Sequence, residues 1–241
     1  MSFRRMIESG TESGRAAGYL RLRRDLLQEL PDVPVLPETA LLLETKAREP
    51  QGHPREIAQL VASDLGATLQ LFRTLADWRR SRIRAASVEE CVAELGARGC
   101  AEAIAHREER FCKDQRMFAE TWVHARKIAT YCQLMTEDFT PGLAPQEAYL
   151  VGLFHELGAL PAVLGWSRPV LGQGEMAAAG LRIAAEWALP VCIQEYFCEL
   201  QAPSMLRRWQ PLVHAAHELA SMPQIETCLR AGMSVQAPAR A

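Results

Sequence analysis

Apolar residues recur every three to four positions along most of this chain, the spacing that aligns side chains on one face of an α-helix. Leu20, Leu22, Leu26, Leu27 and Leu30 sit among Arg and Asp and predict an amphipathic helix stopped by Pro31. Pro34-Val35-Leu36-Pro37 reads as a rigid connector, because proline fixes φ and turns the residue before it away from helix. Helices are predicted over 38–48 and 54–62, the second opened by Pro54 in its first turn. Ser63 or Asp64 caps the next, with Leu65, Leu69, Phe72 and Leu75 or Ala76 on one face. Ser87 and Glu90 have capping-box spacing and start a short helix that Gly96 ends, followed by a helix over 98–111. A long helix over 114–138 carries the stripe Phe118, Trp122, Ala125, Ala129, Cys132, and Pro141-Gly142 breaks the chain. Helices over 145–157, 175–188, 190–200 and 208–221 complete the pattern. No sustained two-residue alternation occurs, so the predicted fold class is all-α.

Composition narrows the function classes. The 241 residues are 49% hydrophobic and 23% charged with a net charge of -2, so no overall field draws the chain to nucleic acid or membrane. No apolar run reaches the roughly 18 residues of a membrane span, and the first residues lack the apolar core of a signal peptide. Seven scattered cysteines without a Cys-x-x-Cys pair argue against a disulfide framework or a zinc ribbon, and point to a reducing cytoplasm.

The candidate chemistry centres on Gly152-Leu153-Phe154-His155-Glu156-Leu157-Gly158, where an imidazole and a carboxylate are adjacent in an apolar helix. Buried polar groups are costly unless partnered, so this doublet implies a hydrogen-bond network, a metal, or the remnant of a metal site. His124 on the long helix and His217 on the last one are the other candidate ligands, suited with His155 and Glu156 to iron, manganese or zinc. If Glu156 is buried against an imidazole, its replacement by alanine should cost about 1 to 3 kcal/mol. Arg79, Arg80, Arg82 and Arg84, headed by Trp78, form a candidate anion-binding stretch whose simpler reading is a solvated loop.

Taken in order, these motifs resemble the HDOD domain, a divergent relative of HD-type metal phosphohydrolases found in bacterial signalling proteins. Pro34-Val35-Leu36-Pro37, Ser63-Asp64-Leu65-Gly66-Ala67-Thr68, Ser87 to Gly96, Trp122-Val123-His124-Ala125, the His155-Glu156 segment and Trp187-Ala188-Leu189-Pro190 are similar to its successive signatures. The resemblance implies two closely packed helical subdomains, 31–112 and an HD-like 113–225, after an N-terminal extension over 1–30 and before a loose tail over 226–241. It also implies a degenerate site. Active HD enzymes pair their histidines with two aspartates, whereas this chain has Glu156 at one place and His217 at the other. Tyr196-Phe197-Cys198 stands where many relatives carry Tyr-His-His, and Asp77 where Asn is usual. Leu157-Gly158-Ala159 supplies no cation to clamp a phosphate. The expectation is a non-catalytic cytoplasmic regulatory module with a protein partner or a small ligand, no cofactor and no membrane or nucleic-acid partner. The alternative is a metal-dependent phosphohydrolase with a variant site.

Overall fold

A computed structural model describes residues 33–49, 53–79, 85–105, 115–139, 142–165, 172–202 and 207–222. Among these, every regular element is helical. They are α1 (Pro37–Arg48), α2 (Pro54–Ala62), α3 (Leu65–Arg79), α4 (Val88–Ala105), α5 (Gln115–Leu134), α6 (Thr136–Phe139), α7 (Pro145–Phe154), α8 (Leu160–Val163), α9 (Gln173–Glu186), α10 (Val191–Gln201) and α11 (Trp209–Ala220). No helix among the described residues is long and apolar enough to cross a membrane. The predicted first helix, the loose tail, and Arg80, Arg82 and Arg84 lie outside the described residues.

Local signals set the helix starts. α1, α2 and α7 each begin with proline in the first turn, where its missing N–H costs nothing. Ser87 Oγ accepts the Glu90 amide at 3.2 Å, and Glu90 reaches back to the amide of Ala86 at 2.8 Å, one residue beyond the usual reciprocal partner. Gly96 takes φ 67° and breaks α4 at the predicted stop.

α1 to α4 pack chiefly on one another, with α4 against α1, α2 and α3. α5 lies along α7, α10 along α9, and α11 fits against α5, α7 and α10. Asp64 ties the two groups together. Its carboxylate accepts the Leu36 amide at 2.8 Å, the Ala67 amide at 3.1 Å as the cap of α3, and the Trp122 indole of α5 at 3.0 Å. It is fully buried, and that burial holds its carboxyl above the ordinary range, against the lowering pull of its donors. The Tyr149 hydroxyl of α7 adds a second tie, donating to the Ala62 carbonyl at 2.9 Å. Arg73 of α3 lies over the Trp187 ring, 5.7 Å from its centre.

The helix predicted over 145–157 stops at Phe154, and a run of turns carries the chain from His155 to α8, a short helix the periodicity did not predict. Gly158 lies against the backbone of α9, where a Cβ would fall onto the Met176 carbonyl.

Candidate metal centre

Three helices bring three imidazoles together. His124 projects from the middle of α5, on the side of Ile128 and Tyr131, both buried. His155 follows the last residue of α7, and His217 stands in the last turn of α11. The ring centres of His155 and His217 are 4.8 Å apart, those of His124 and His217 5.1 Å, and those of His124 and His155 5.3 Å. One nitrogen from each ring lies within 4.8 Å of the other two.

His155 is the fixed member. It is 7% exposed. Its Nδ1 is 2.7 Å from the carbonyl oxygen of Gly152, one turn back. A carbonyl only accepts, so the proton sits on Nδ1 and the lone pair on Nε2. That Nε2 is buried and has no hydrogen-bond partner. Burial, reinforced by the neighbouring His217 and His124, lowers the His155 pKa to about 3, so the ring is neutral at physiological pH. His217 is half-buried, and burial with the adjacent His124 and His214 lowers its pKa too.

Charged contacts hold α11, the carrier of His217, at both ends. The carboxylate of Glu199 in α10 is 6% exposed and caps the start of α11. It accepts the Arg208 amide at 3.0 Å, the Trp209 amide at 2.9 Å and the Gln210 amide at 3.2 Å. At the other end Lys127 of α5 donates to the Ala220 carbonyl at 2.9 Å. An anion at the N-terminus and a cation at the C-terminus both match the helix dipole. Helical periodicity marked neither residue, because each acts on an element distant in sequence.

Glu156 stands apart from the imidazoles. Its side chain is 45% exposed, and its carboxylate approaches His155 Nε2 only to 3.8 Å. That is beyond hydrogen-bonding distance, and a neutral His155 makes it no ion pair. The condition set for Glu156, burial against an imidazole, is not met, and the stability cost tied to it lapses. His155 still has helical φ and ψ, so Glu156 points about 100° further round than His155, toward solvent. Of the arginine stretch, the described part holds only the backbone of Arg79 at the end of α3.

The donor set has a metal preference of its own. Imidazole nitrogens, one ring with its tautomer fixed by a backbone carbonyl, suit borderline transition ions such as zinc or iron(II). They suit magnesium and calcium poorly, since those ions prefer oxygen ligands. Nitrogens bound about 2.0 to 2.1 Å from one zinc ion lie roughly 3.3 Å apart, so the rings would have to draw inward to share one.

No curated protein matches this chain. Two solved structures of the MmoQ response regulator from Methylococcus capsulatus str. Bath share the fold. One has a TM-score of 0.60 at 21% identity, over 87% of this chain and 95% of that one. The other has a TM-score of 0.59 at 20% identity, over 86% and 97%. The family model for the HDOD domain matches residues 33–168, more than half of the chain, with His124, His155 and Glu156 inside the match. This chain belongs to the HDOD domain family.

Proposed function

We propose that this protein is a regulatory interaction module of a bacterial signalling system, and that its HD-type site no longer hydrolyses phosphate esters. The observation carrying this reading is that, among the described residues, no carboxylate belongs to the three-histidine group, and Glu156 is half in solvent. Hydrolysis of a phosphate ester by a metal centre needs the ion firmly held, a water activated on it, and positive charge near the leaving phosphate. Imidazole ligands add no negative charge to hold a dication beside an anionic substrate. Family membership and the likeness to a protein described as a response regulator support the signalling context. The grooves between helices are the surfaces for a protein partner or a small ligand. Seven scattered cysteines without a Cys-x-x-Cys pair support a reducing cytoplasm.

The alternative, a phosphohydrolase using His124, His155, Glu156 and His217, is separated by direct assay. The purified chain, loaded in turn with zinc, manganese and iron(II), is incubated with bis(p-nitrophenyl) phosphate and p-nitrophenyl phosphate. The expected rate is that of the free metal. Turnover above it that disappears in His217→Ala would establish the alternative.

A further inference from the structure

We propose that His124, His155 and His217 form a binding site for one divalent transition ion of the zinc type, with no carboxylate ligand and no hydrolytic role. The lack of hydrolysis rests on the preceding reading; the ion site does not.

The main support is an unsatisfied atom. A buried polar nitrogen almost always has a partner, yet His155 Nε2 has none and faces two other imidazoles. Its ring is set by the Nδ1–H bond to the Gly152 carbonyl. Metal-binding histidines are commonly oriented in this way, by a hydrogen bond from the nitrogen that does not bind. His155 thus presents a fixed lone pair without rearrangement.

The other two rings supply the freedom the site needs. His124 and His217 are half-buried, so each keeps a solvent-facing side by which an ion can enter. The nitrogens already fall within 4.8 Å of one another, and modest rotation of these two rings would shorten that spacing. The all-imidazole donor set then selects the ion, favouring zinc, cobalt and nickel over magnesium and calcium. Bound there, the ion would fasten α5, the turn after α7 and α11 to one another. Those segments are distant in sequence, so occupancy would bias the seating of α11.

The test uses the full chain without an affinity tag, stripped by chelator. Zinc is titrated calorimetrically, and cobalt(II) is followed by its visible absorption. One equivalent of zinc is expected to bind with Kd of about 1 µM or tighter and to raise Tm. Magnesium and calcium should give no saturable signal. His124→Ala and His217→Ala replace half-buried rings, so both variants should fold, and each should weaken zinc binding by about tenfold or more. His214→Ala is the control, because that ring is exposed and lies 3.4 Å from Glu218 on the outer side of α11. It should leave zinc binding unchanged. No saturable binding at millimolar zinc would overturn the site. So would unchanged affinity in both the His124 and His217 variants, or loss in the His214 variant. Zinc binding accompanied by ester hydrolysis would sink the regulatory reading and leave the site standing. Absent zinc binding would do the reverse.

Discussion

Gly152→Ala is expected to destabilise the domain by about 3 kcal/mol or more, at the upper end of what overpacking costs. Gly152 is buried where α7 lies along α5, the most extensive helix contact among the described residues. A Cβ there would lie 2.6 Å from the Ala129 Cα, 2.9 Å from the Ala129 nitrogen and 3.0 Å from the Cys132 sulfur. Two of those atoms are backbone, so no rotamer change relieves the clash and the helices must part. The interior is close-packed, and separating two helices loosens every layer of side chains between them. The carbonyl that orients His155 also belongs to Gly152, so the site should loosen with the core. Denaturant unfolding followed by circular dichroism measures the effect. A loss below about 0.5 kcal/mol, the range of neutral surface changes, would show that the α5–α7 contact is looser than described.

The second large effect is expected at Glu199. Glu199→Ala should cost about 2 to 4 kcal/mol. Hydrogen bonds to a charged group contribute roughly 1.5 to 3 kcal/mol each, and they are not additive when one carboxylate serves several donors. Here the carboxylate serves the Arg208, Trp209 and Gln210 amides, at a place where Trp209 is buried. With alanine those donors face apolar neighbours or whatever water can enter. Glu199→Gln keeps an acceptor oxygen without the charge and should recover about half of the loss. Because α11 carries His217, hydrogen exchange should show α11 opening faster in Glu199→Ala while α3 stays protected. Uniform acceleration across all helices would mean that the carboxylate stabilises the domain as a whole and has no particular hold on α11.

These two residues mark the reach of sequence reasoning on this chain. The order of helices could be read because apolar periodicity and local caps act within a few residues. Pro37, Pro54, Ser87 and Gly96 each set a helix end by rules confined to one turn. Asp64 was legible as a candidate cap. Its bonds to Leu36 and Trp122 were not, since they join segments 28 and 58 residues away. His124, His155 and His217 were each visible as candidates, but spacing alone cannot show that three separate helices converge; ordered resemblance to a family brought them together. The exposure of Glu156 was not legible, because the helical period sets it about 100° from His155 without saying which arc faces the core. Glu199 and Lys127 look like ordinary polar positions on their helices, and their roles exist only once α11 has docked.

The claim on which the account depends is that the pocket offers uncharged nitrogen lone pairs, with His155 fixed as the Nδ1–H tautomer. Long-range proton–nitrogen correlation spectra of the nitrogen-15-labelled, chelator-treated chain read this directly. The predicted result is a His155 ring protonated on Nδ1 alone and still neutral well below 6.5, the ordinary histidine pKa. A ring protonated on Nε2, or one that takes up a second proton near that ordinary value, would contradict it.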